Sequence, residues 1–127
     1  MKEDQIEESD VSEGLDGLLP MRSEVEPTTN QTLIIESDEQ EKIKVLSSES
    51  TREVLESIQK APKTPAEVRD ELGNSLQNAH YHVGKLEGAG LIEAAGTAYS
   101  ENGVEMDIYR AKADCIQVKV GPGCDID

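Results

Sequence analysis

Apolar residues in the middle of the chain recur at helical spacing, and each run is bracketed by residues that start or stop helices. Ser37-Asp-Glu-Gln40 sets a serine cap with Gln at N3, predicting a short helix to about Leu46 with Ile43 and Leu46 on one face. Ser50-Thr-Arg-Glu53 offers a second capping box, and Val54, Leu55 and Ile58 follow as one stripe until Pro62 prevents continuation. Thr64-Pro-Ala-Glu67 is the clearest start signal, with N-cap Thr, Pro at N1 and Glu at N3, and Val68 and Leu72 follow before Gly73. Asn74 or Ser75 then caps a fourth helix with Leu76, Ala79, Val83 and Leu86 inward, which Gly88 and Gly90 end. Two short helices joined across a glycine form the helix-turn-helix pattern, the second being the helix that would read a partner. Leu91-Ile92 opens a strand, Asn102-Gly103 supplies a turn, and Val104 to Tyr109 returns as the partner strand, giving a hairpin wing.

The predicted fold is α+β: a winged helix-turn-helix domain of three to four helices and a β-hairpin, behind an acidic, disordered N-terminal tail. Its expected limits are an arm over 1–36, the winged domain over 37–113, and a short strand and tail over 114–127. Charge sets the first boundary, since residues 1–40 carry 12 acidic and 2 basic side chains, against 12 and 9 in residues 41–113. A segment so rich in acids, with isolated apolar residues, buries too little surface to offset its ordering entropy. The arm reads as a solubilising tail, or more sharply as a competitor of nucleic acid for the protein's own basic residues. Toward the C-terminus Ile116, Val118 and Val120 alternate with polar residues as a strand, and Leu33-Ile34-Ile35 is another short apolar run. Either suits a dimer surface or the monomer core, and the sequence does not rank the two.

The net charge of −15 and the lack of Phe and Trp leave a core of Leu, Ile, Val and Ala, and suit a protein of a high-salt cytoplasm. No run approaches the roughly 18 apolar residues of a membrane span, and the acidic start is unlike a signal peptide, so the expected location is cytoplasmic with no membrane partner. Cys115 and Cys124 are too few for a disulfide framework or a four-ligand zinc site, and read as inert reduced thiols. His80 and His82 point about 200 degrees apart on their helix and cannot share a metal within one chain. His82, beside the apolar stripe, is read as a packed residue bonded to a neighbouring element. No catalytic arrangement, metal site or cofactor motif emerges, and the chain is not read as an enzyme.

Several segments resemble the ArsR-type winged helix-turn-helix regulators, in the version common in salt-loving archaea. They are Ser75-Leu-Gln-Asn-Ala-His-Tyr-His82, Lys85-Leu86-Glu87, Ala89-Gly-Leu-Ile92 and Tyr99-Ser-Glu-Asn-Gly-Val-Glu-Met106 through Tyr109. The resemblance runs from about Leu46 to Ala113 and implies a dimeric transcription regulator, its fourth helix in the DNA major groove and its hairpin along the backbone or minor groove. Gly84 departs from the pattern, at about 1 kcal/mol of helix propensity. The cysteine-containing motif of the metal-sensing members is absent.

Independently of that family, the fourth helix turns Gln77, Asn78, Tyr81, Lys85 and, at its margin, His80 outward. Asn and Gln can pair bidentately with adenine, and Lys85 with phosphate or guanine. An ordinary solvated face is the plain alternative, and the helix-turn-helix and wing favour double-stranded DNA as the partner. Expected contacts also include Thr64 and Ser75 at the two helix starts and Tyr99, Ser100 and Arg110 on the wing, where hydroxyls and a guanidinium suit phosphate oxygens. The other use of the wing is structural, with Tyr99 and Tyr109 as a cross-strand pair. The competing function is a protein-interaction adaptor that kept the fold while its acidity excludes nucleic acid.

Overall fold

A computed structural model of the chain describes residues 11–12, 15–17 and 22–124. The expectation of a disordered arm over residues 1–21 lies outside the described residues, except that β1 (Val11–Ser12) and β2 (Leu15–Gly17) pair antiparallel. The body follows as β3 (Thr32–Glu36), α1 (Gln40–Leu46), α2 (Glu49–Lys60), α3 (Pro65–Leu72), α4 (Leu76–Gly88), β4 (Ile92–Tyr99), β5 (Glu105–Ala111) and β6 (Cys115–Lys119). This is an α+β fold, four helices with a β-hairpin wing. Two units divide it: a larger one over Val25–Ala95 and Asp107–Asp127, and a smaller one over Met1–Glu24 and Gly96–Met106 that holds the wing tip. Among the described residues no helix is long and apolar enough to cross a membrane.

Within the larger unit, local chemistry sets each helix start. Glu49 opens α2 because the Ser48 hydroxyl accepts the Thr51 N–H at 3.3 Å, so the cap is Ser48 rather than the expected Ser50. Ser37 does not cap α1 either. The β3 strand keeps the backbone extended through Glu36, residues 37–38 turn, and N-cap Glu39 instead accepts the Glu36 N–H at 2.9 Å. That bond and Lys42 hold the Glu39 carboxyl below the usual carboxylate range. At α3 the full capping box forms: Glu67 N–H donates to the Thr64 hydroxyl and Thr64 N–H to the Glu67 carboxylate.

Val54, Leu55 and Ile58 on α2 meet Val68 on α3 and Ala79, Val83 and Leu86 on α4, all of them buried. Without Phe or Trp the core is aliphatic, and each fully buried Leu or Ile contributes roughly 1.5–3 kcal/mol. Leu76, expected inward, is 39% exposed, and His82 takes its place in the stripe at 7%. Positions 79, 82, 83 and 86 follow i, i+3, i+4, i+7, whereas Leu76 sits at the first residue of α4, where little covers it. The α2–α3 contact is tied at its edge by Glu71, which accepts the Ser57 hydroxyl at 2.9 Å and pairs with Lys60 and Lys63. These partners, Ser57 foremost, lower the Glu71 pKa, so the tie is fully present above the ordinary value of 4.5 and fades as pH falls through the depressed one.

Residues 25–36 also belong to this body, which corrects the boundary expected at residue 36. β3 pairs in parallel with β6, Leu33 opposite Ile116 and Ile35 opposite Val118, and Ile35 is completely buried. Asp114 secures the entry to β3 by accepting the Asn30 and Gln31 N–H groups at 2.9 and 3.0 Å, bonds that hold its carboxyl below the usual range. Asn30 turns there with a φ of 58°, a left-handed conformation that Asn tolerates. Thr28 reaches the Ala111 carbonyl with its hydroxyl. The two apolar runs left unranked by the sequence thus divide: Ile35, Leu33 and Ile116 join the monomer core, while Ile34, Val118 and Val120 stay exposed.

Candidate nucleic-acid interface

Gly73 ends α3 in the left-handed region at φ 75°, which a side chain would strain, and the chain turns directly into α4. Ser75 caps α4 by accepting the Asn78 N–H at 3.0 Å. What orients α4 about its own axis is His82, whose Nδ1 lies 2.9 Å from the Thr51 hydroxyl of α2 in a buried contact. The expected packed role of His82 is therefore what the structure contains. Thr51 itself went unread in the sequence, although it precedes Val54, Leu55 and Ile58 at i, i+3, i+4, i+7 and is 1% exposed.

With that side fixed, α4 presents Gln77, Asn78, His80, Tyr81 and Lys85 to solvent. Tyr81 is 57% exposed, its ring edge-on to His82 at 5.1 Å, and the Lys85 ammonium lies 5.4 Å from the Tyr81 ring centre. This is a weak cation–π contact that holds the lysine along the helix. From Leu76 to Gly84 the helix has no acidic residue, in a chain that carries 27. Glu87, its one acid, lies in the last turn beside the Tyr109 hydroxyl, and burial together with Glu87 and Asp107 raises the Tyr109 pKa.

Gly84 and Gly88 lie on the same outward face. Neither has a positive φ, and a Cβ at either would meet nothing within 4 Å, so the fold itself does not call for glycine. Gly84→Ala is accordingly expected to stabilise the isolated chain by about 0.5–1 kcal/mol, measured by urea unfolding. A destabilised variant would mean that this face is covered in solution.

Thr64 leaves the set of expected contact residues. It is 1% exposed and its hydroxyl is committed to the capping box, because the residue that starts α3 is packed beneath the helix. Arg110 is also engaged: its guanidinium donates to Glu93 at 2.8 Å across the hairpin. The sequence contains both partners, but only the folded hairpin brings them together.

In the smaller unit, the wing tip turns through Ser100–Gly103, with Gly103 N–H on the Ser100 carbonyl and Gly103 at φ 79°. The Ser100 hydroxyl oxygen accepts the Asn102 and Val104 N–H groups, which leaves its proton to donate outward. Tyr99 is 44% exposed. Residues before the body add a third segment here: Arg22 bridges Ala98, and Ser23 exchanges bonds with Thr97 at 2.7 and 3.0 Å. Arg22 therefore lines a shallow depression with Thr97 and Tyr99, a placement invisible from its position in the acidic arm.

Residues 46–94 match a family model described as a helix-turn-helix domain. No curated protein matches the chain. The matched stretch ends three residues into β4, so it contains α2, α3 and α4 and supports a helix-turn-helix domain.

Proposed function

We propose that the protein is a sequence-specific regulator of transcription that binds double-stranded DNA, with α4 in the major groove and the wing on the sugar-phosphate backbone. The observation that carries this reading is the acid-free outward face of α4, built of amides, an aromatic ring and one lysine on the second helix of a helix-turn-helix. The chain as a whole carries a net charge of −15, and a face without acids is where phosphate is least repelled. Its contacts would be Ser75, Gln77, Asn78, His80, Tyr81 and Lys85, with Tyr99 and Ser100 from the wing. The finer reading is an ArsR-type homodimer in the cytoplasm of a salt-loving archaeon. At molar salt counterion release contributes little, so base-edge hydrogen bonds carry more of the affinity and a nearly neutral reading helix is suited to the task. The domain proposed to do this is the winged body, with the acidic arm as a solubilising or competing segment.

Genome-wide mapping of bound fragments tests the proposal, with recovery of a shared motif as the expected result. Retention of no DNA, together with capture by another protein, would favour the adaptor. On the wing, Arg110 is paired with Glu93, so Arg110→Ala should leave the slope of log affinity against log salt unchanged. A slope lowered by about one would instead place Arg110 on a phosphate.

A further inference from the structure

The chemistry of the α4 face goes beyond DNA binding to the kind of base pair it fits. Buried Ala79, His82, Val83 and Leu86 fix the inner side, and at about 100 degrees per residue the opposite direction runs through Gln77 and Tyr81. Guanine presents two acceptors, best met by Arg or Lys. The helix has no Arg, and its one Lys, Lys85, stands over the Tyr81 ring in the third turn. Cytosine presents an N4 donor, best met by a carboxylate. The helix has one, Glu87, in its last turn and beside Tyr109, away from the N-terminal end. What remains outward near the N-terminus, where a reading helix meets base edges, is two amides and an aromatic ring, with the His80 imidazole at the margin. Amides fit adenine N6 and N7, and an apolar surface fits the thymine methyl group.

Resting on the reading of α4 as the base-contacting helix, we infer that its half-site has an A·T core. Gln77 takes an adenine, Asn78 at the margin takes a second, the Tyr81 ring packs on a thymine methyl, and Lys85 meets a flanking guanine or phosphate. Specificity of this kind comes from shape and hydrogen bonding rather than from charge, which a chain of net charge −15 has little of to offer.

Selection by the full chain from a randomised duplex library tests the inference. The expected result is a half-site centred on A·T pairs. Replacing its central adenine by 7-deazaadenine should weaken the wild type by about 5-fold or more, and leave Gln77→Ala unaffected. Replacing the thymine by uracil should weaken the wild type and leave Tyr81→Ala unaffected. A G·C core whose preference disappears in Gln77→Ala overturns the A·T assignment while leaving α4 as the reader. A motif that none of the α4 substitutions alters, or no motif at all, overturns the reading of α4 and the inference with it.

Discussion

A chain beginning at Ser37 is expected to lose most of its stability, whereas one beginning at Arg22 should keep nearly all of it. The shorter chain lacks β3, and with it the fully buried Ile35, the partly buried Leu33 and the whole parallel ladder to β6. Removing one large buried aliphatic side chain alone costs about 2–5 kcal/mol. The loss extends further, because the Asp114 carboxylate is stripped of the Asn30 and Gln31 N–H groups and Ala111 of the Thr28 hydroxyl. Against the roughly 5–15 kcal/mol of an ordinary domain, this is enough to unfold a chain with a purely aliphatic core. The chain beginning at Arg22 retains every one of these bonds and the Ser23–Thr97 pair. Thermal and urea unfolding of the two chains decide the matter. Equal midpoints would mean that β3 contributes nothing and that the body does begin at residue 37.

That boundary marks where the sequence stops being informative. The helices of the body were legible because their signals are local: a capping hydroxyl, a glycine stop and an apolar stripe all fall within a dozen residues. Their starts differ from the expected ones by two residues at α1 and α2, where more than one Ser or acid lies within a turn of the start. The β3–β6 ladder was not legible, since Thr32 and Cys115 are separated by the entire helix-turn-helix and wing, and parallel pairing leaves no turn signal. Polar surroundings then led Leu33-Ile34-Ile35 to be counted with the arm. Much of the candidate interface was legible for the same local reason, because knowing the inner stripe of α4 fixes its outer one. His82 taking the place of Leu76 rotates the stripe only slightly and leaves Gln77, Tyr81 and Lys85 outward. Failures came where a side chain's availability depends on a distant partner: Thr64 beneath α3, Arg110 held by Glu93, and Arg22 brought to Ala98.

The second large effect is expected at Tyr81, where one substitution separates folding from DNA binding. Tyr81→Glu removes a ring that is more than half exposed, so little core is lost beyond its edge contact with His82. The new carboxylate lies four residues before Lys85, the orientation in which a helical Glu–Lys pair contributes about 0.3–0.5 kcal/mol. Stability should therefore change by less than about 1 kcal/mol, and helix content should be retained. Binding should behave differently. A carboxylate at the centre of the outward face meets phosphates and base acceptors, and it also draws away the Lys85 ammonium. Like charges brought together at an interface cost several kcal/mol, so operator affinity should fall by at least about 100-fold, and nonspecific affinity with it. Tyr81→Gln, of similar length but uncharged, should lose far less, which separates repulsion from the loss of the ring. Fluorescence anisotropy with duplex DNA, alongside circular dichroism and urea unfolding, measures both halves. Wild-type affinity in a folded Tyr81→Glu variant would place the outward face of α4 outside the groove, and the DNA-reading role of this helix would have to be abandoned.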